Sequence, residues 1–187
     1  MFEQLREAEG LLKDINESKE TERDENGKAV IKIAVNNDNN FLSDFSHRDE
    51  PIISTETAEY IEHSIKHLKP RTDLHFLFSG ESIDEMEKPL YVRAIHNYYH
   101  SEFIEVAREI RKNSLLSVVM TAIAALIFAL ALVLQNCGTE AVILNMLDVT
   151  AWVFMWEAVD IFAFRTSSLK IRRMRYLRII KSEISFE

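Results

Sequence analysis

The sequence predicts an α+β chain in which a small cytoplasmic β-α-β-containing domain precedes an antiparallel two-helix transmembrane hairpin. Three observations predict it. Leu115–Gln135 carries no charge, and Ala141–Phe164 is apolar apart from three acids; about 20 apolar residues suffice to cross the hydrocarbon. Asn136–Glu140 alone separates these runs, so the helices they form must turn back sharply. Ahead of them, a β-branched run, an amphipathic helical segment and a second short apolar run follow in the order strand, helix, strand. The expected organisation is an N-terminal helix and polar linker (1–28), a cytoplasmic α/β domain with a stalk helix (29–113), the transmembrane hairpin (114–164, helices 115–135 and 141–164) and a basic cytoplasmic tail (165–187).

Taken in order, Phe2, Leu5, Leu12 and Ile15 give a helical stripe over the first 18 or so residues. This start lacks an apolar core and does not read as a signal peptide. Glu17–Lys28 is polar and contains Asn26–Gly27, a turn signal. Ala29–Asn36 reads as a strand and Asn36–Asn40 as a loop. Ser54 can cap a helix running to Leu68, with Ala58, Ile61, Ile65 and Leu68 on its buried face and Pro70 beyond its end. Asp73–Ser79 reads as a second strand, closed by Gly80. Strand–helix–strand order implies parallel pairing through a crossover. Because two strands alone are marginal, a third is expected from Ile184–Phe186 or from a second chain. Ser82 with Glu85 resembles a capping box, and Pro89 interrupts or restarts the helix that follows. From there to Gly138 the chain has no Gly or Pro. Val92, Ile95, Tyr99, Phe103, Val106 and Ile110 form one stripe. A single helix of roughly 65–70 Å at 1.5 Å per residue could therefore run into the membrane, the alternative being a break at Asn113–Ser114.

Basic residues flank the outer ends of the two spans. Arg108, Arg111 and Lys112 precede the first, Arg165, Lys170, Arg172, Arg173 and Arg175 follow the second, and the connecting loop has none. The positive-inside rule then places both termini in the cytoplasm, here of a bacterial inner membrane. On the first span, Ser117, Thr121, Ala125 and Ala129 suggest a ridge of small side chains; on the second, Ala151 and Ala158 share a face. Asp148, Glu157 and Asp160 are the intramembrane polar candidates, since acids in hydrocarbon need a partner or a task. Neither span holds a Lys, Arg or His. Glu157 lies roughly 6 Å from the midplane at 1.5 Å per residue. Its face is expected to meet a second copy or another membrane protein, while Asp160 reaches the headgroups and Asp148 faces elsewhere.

The net charge of −8 averages two unlike parts. Residues 1–114 hold 15 basic and 24 acidic side chains, whereas the tail from Arg165 holds 7 basic and 2 acidic. An acidic domain excludes the basic face that nucleic-acid binding needs. The tail residues Arg165, Lys170, Arg172, Arg173 and Arg175 suit anionic lipid headgroups. The single cysteine, Cys137, rules out an internal disulfide. His63/His67 and His96/His100 have i,i+4 spacing that could ligate a metal from one helix face, and a four-histidine site is conceivable. No cofactor-binding motif, Gly-rich phosphate loop or nucleophile elbow is present. The stretches Phe41–Ser46 (FLSDFS) and Trp152–Asp160 (WVFMWEAVD) resemble segments of uncharacterised bacterial two-span membrane proteins, which implies the same architecture and no particular activity. The sequence thus points to a membrane-anchored interaction, scaffold or sensing protein, oligomeric and without evident catalysis. An ion- or proton-conducting assembly using Glu157 and a membrane-tethered metalloenzyme are the alternatives.

Overall fold

The structure, a computed structural model, describes residues 22–35, 40–47, 49–80 and 83–187. The helical stripe expected over the first 18 residues, most of the Asn36–Asn40 loop and the Ser82 cap lie outside the described residues. The chain divides into two units: one comprises residues up to Ser101 together with Arg175–Glu187, the other Glu102–Met174.

The first unit is built on a three-stranded, fully parallel sheet of order β1-β2-β3, with β1 at Ala29–Ala34, β2 at Leu74–Ser79 and β3 at Glu183–Phe186. Alternation decides its faces. Ala29, Ile31 and Ile33 of β1 and Leu74, Phe76 and Phe78 of β2 are buried, while the residues between them are not. The register sets Ile31 against Phe76 and Phe76 against Ile184, so each strand sends apolar side chains to the same face. The third strand is therefore the C-terminal one, paired to β2 within the same chain.

Helix α1 (Thr55–Ile65) makes the crossover between β1 and β2. Ser54 caps it by accepting the Thr57 N–H at 3.2 Å, and Ala58, Ile61 and Ile65 form its buried face. Helix α2 begins at Lys88, which puts Pro89 in the first turn. There its missing N–H costs nothing, so the proline starts the helix instead of kinking it. Tyr91, Ala94, Ile95 and Tyr99 are buried, and the Tyr99 hydroxyl donates to the Ala58 carbonyl at 3.1 Å. After Ser79 the chain must pass close to Val35: a Cβ at Gly80 would collide with the Val35 carbonyl oxygen. The end of the chain packs here too. Tyr176 and Ile179 are fully buried, the Tyr176 hydroxyl bonds Glu62 at 3.1 Å, and the Phe186 ring stacks on Phe78 at 5.6 Å.

Helix α2 is continuous from Lys88 to Asn136, with no break at Asn113–Ser114. Its end is a Schellman motif, in which Thr139 N–H bonds the Leu134 carbonyl, Gly138 N–H bonds the Gln135 carbonyl, and Gly138 takes φ +79. Helix α3 (Ala141–Val159) follows, then a π-helical turn (Asp160–Arg165) and helix α4 (Thr166–Ile180). Two helical stretches, Lys88–Asn136 and Ala141–Ile180, are long and apolar enough to cross a membrane.

The small-residue ridge of the second unit is not the one expected. Ser117, Ala124 and Ala131 are buried on α2, seven apart, whereas Thr121, Ala125 and Ala129 are exposed. Steps of four advance by about 40° around a helix, so a 117/121/125/129 ridge winds off any one face, while steps of seven drift by only about 20°. Ala151 and Ala158 on α3 have the same spacing and are buried as expected. The Ser117 hydroxyl donates to the Ala158 carbonyl at 2.9 Å, a contact that small side chains permit.

Candidate functional site

A polar cluster occupies the face of the sheet opposite its apolar core. Alternation along β2 turns His75 away from Leu74 and Phe76, and the parallel register sets Glu183 beside His75 and Ser185 beside Leu77. A tight turn supplies the remaining members. Gly27 (φ +76) donates to the Asp24 carbonyl at 2.8 Å, Asp24 N–H bonds the Lys28 carbonyl at 3.0 Å, and Arg23 bridges Ala29. Asn26–Gly27 is thus the turn its sequence announces, and it delivers Asp24 and Lys28 to the sheet.

The cluster is joined throughout. His75 Nδ1 lies 3.2 Å from Asp24 Oδ2, and His75 Nε2 lies 2.7 Å from Ser185 Oγ. Lys28 Nζ donates to Glu183 Oε2 at 2.7 Å. That hydrogen bond, reinforced by the opposite charge, raises the Lys28 pKa and lowers that of Glu183. Asp24, His75 and Glu183 each present a donor atom within 4.8 Å of the others; among the described residues they form the group suited to hold a metal ion. The order Asp24–His75–Ser185 is also that of a hydrolytic relay. Ser185, however, sits inside a four-residue edge strand and not at the exposed strand-to-helix turn that presents a nucleophile.

The four histidines singled out by spacing do not belong to this group. His63 is exposed on α1, and His67 lies beyond the end of that helix. His96 is half-buried on α2, with its Nε2 enclosed and lacking a hydrogen-bond partner among the described residues, while His100 is exposed.

Two of the three acids in the second apolar run, Glu157 and Asp160, have a partner in the chain. Arg165 Nε bonds Asp160 Oδ2 at 2.9 Å, and its Nη2 bonds Glu157 Oε1 at 3.1 Å. Across the π-turn, the Thr166 N–H and hydroxyl both reach the Ile161 carbonyl five residues back, the spacing that also joins Arg165 to Asp160. Asp148 is separate, lining an open cleft of about 510 Å³ with Gln135 and Asn145. Of the basic residues assigned to headgroups, Arg172 pairs with Glu102 at 3.2 Å and Lys170 sits over the Phe162 ring at 5.4 Å. Arg175 donates to the Lys66 carbonyl at 3.2 Å, and Arg173 is exposed.

Sequence reasoning missed Asp24, His75, Glu183 and Ser185 because they come from three distant segments whose register only the folded sheet fixes. The available signal was parity: Glu183 and Ser185 alternate with Ile184 and Phe186, as His75 alternates with Leu74 and Phe76. No protein-family model, no curated protein and no solved structure matches this chain.

Proposed function

We propose that the chain is an integral membrane protein whose apolar helices cross a bacterial inner membrane as an antiparallel hairpin, with both termini cytoplasmic. The sheet-bearing unit then acts as a cytosolic interaction, scaffold or sensing domain. One observation carries this reading. Leu115, Val118, Leu126, Leu132, Val142, Val153, Trp152, Trp156 and Phe164 are each more than 60 % exposed, so the apolar helices leave most of their surface uncovered. A surface of this extent is unfavourable in water and natural in lipid. Alkaline carbonate extraction of native membranes tests it: the chain is expected to stay in the pellet, and release into the supernatant contradicts the reading.

The Arg165 contacts reshape two subsidiary readings. For conduction, Glu157 would have to exchange its bond to Arg165 for a proton or an ion, and an acid-dependent ion flux in liposomes would support that role. Self-association through the Glu157 face rests instead on the exposed Trp152 and Trp156. Cross-linking in native membranes should yield a dimer or higher species that Trp156→Ala weakens; monomer alone contradicts it.

A further inference from the structure

Asp24, His75 and Glu183 arrive from the turn before β1, from the central strand and from the C-terminal edge strand, and they meet on the one face of the sheet that the apolar core does not use. The 3.2 Å between His75 Nδ1 and Asp24 Oδ2 matches the separation of two ligands held at about 2.0–2.1 Å from one tetrahedral ion, which is roughly 3.3 Å. The other imidazole nitrogen is held by Ser185 Oγ at 2.7 Å. A metal-binding histidine is characteristically oriented in this way, its second nitrogen donating so that the first keeps a lone pair for the metal. With Ser185 as acceptor, that lone pair would face the Asp24 carboxylate directly. In that tautomer two electron-rich atoms stand in contact, an arrangement that a cation between them stabilises; in the other tautomer Nδ1–H donates to Asp24 instead.

We propose that Asp24, His75 and Glu183 form a binding site for a divalent transition metal of the zinc class, with His75 Nδ1 and one oxygen from each carboxylate as ligands and solvent completing the coordination. The nitrogen ligand disfavours magnesium and calcium, and the absence of thiolate from the three ligands disfavours monovalent copper. His75 and Asp24 keep 16 % and 25 % of their side-chain surface exposed, enough for an ion to enter from solvent. Lys28 is the built-in competitor. Its ammonium holds Glu183 Oε2, so it competes through its charge with an incoming cation for the same carboxylate. Because Glu183 belongs to the terminal strand and Asp24 to the first turn, the ion would clamp β3 onto the sheet.

Calorimetric titration of zinc into the full-length, chelator-treated protein in detergent tests this, with cobalt absorption reporting coordination geometry. One equivalent is expected to bind, with a tetrahedral cobalt spectrum. His75→Ala and Asp24→Asn should each weaken binding by about 100-fold or more, and Ser185→Ala by about 10-fold. Lys28→Met should tighten it several-fold. This last variant removes no ligand, so its gain in affinity cannot arise from misfolding. Absence of stoichiometric binding overturns the proposal. So does binding that survives His75→Ala but falls when His63, His67, His96 or His100 is replaced, and so does a Lys28→Met variant that binds no more tightly than the parent.

Discussion

Arg165 changes what the acids of the second apolar run require. Alone, Glu157 would need a partner from outside the chain; with Arg165 the planar guanidinium bonds Glu157 and Asp160 at once. A fork of donors can do this and a lysine ammonium cannot do it as well. Arg165→Ala should therefore lower the thermal stability of the detergent-solubilised protein by about 0.5–1 kcal/mol, less than for a fully enclosed pair because these side chains remain partly exposed. Arg165→Lys should recover only part of the loss. The Lys28–Glu183 pair makes a pH prediction for β3. Glu183 has a folded pKa below its ordinary 4.5, so its contribution is present above that value and is lost as pH falls through the lower folded value. Lys28 is raised above 10.5, so its contribution is complete below that pH and fades as pH rises through the folded value. The protection factors of the β3 amides, with the intrinsic pH dependence of exchange removed, should accordingly fall below the ordinary carboxylate range, and Lys28→Met should flatten that dependence.

The elements show where sequence periodicity suffices and where it does not. β1, α1 and β2 were legible because local rules coincide in them: β-branched alternation, the Ser54 cap, Pro70 beyond the helix, and Gly80 at a point with no room for a side chain. Helix α2 was legible from its long run without Gly or Pro, and its end from Gly138. Pairing of β3 with β2 was only one of two possibilities, since pairing over a hundred residues of separation leaves no local trace. The π-turn had no sequence signature at all. The small-residue ridge was misplaced because a four-residue repeat looks regular in a list of letters yet drifts around a helix. This gives a sharp comparison. Ala124→Leu, at a buried heptad position, should destabilise the second unit by about 1–3 kcal/mol through overpacking, whereas Ala125→Leu, one position away and exposed, should be close to neutral. Thermal unfolding of both variants in detergent checks it, and equal effects would restore the four-residue ridge.

For the whole molecule, the sheet depends on both ends of the described chain. β2 is central, β1 comes from the segment before the apolar helices, and β3 comes from the segment after them. The connection between β2 and β3 runs through α2, α3, the π-turn and α4, so the apolar helices are an excursion between two parallel neighbours. If that excursion crosses a membrane twice, the sheet can form only when both helices return to the same side, which ties the orientation of the hairpin to the fold of the sheet. Cys137, the single cysteine, is exposed in the connection between α2 and α3 and reports on this directly. In intact cells, a membrane-impermeant maleimide should label Cys137, while a cysteine placed at Ser182 in a Cys137→Ser background should be labelled only after the membrane is opened. Labelling of the Ser182 position from outside, or protection of Cys137 until the cells are permeabilised, would contradict a hairpin with both ends inside.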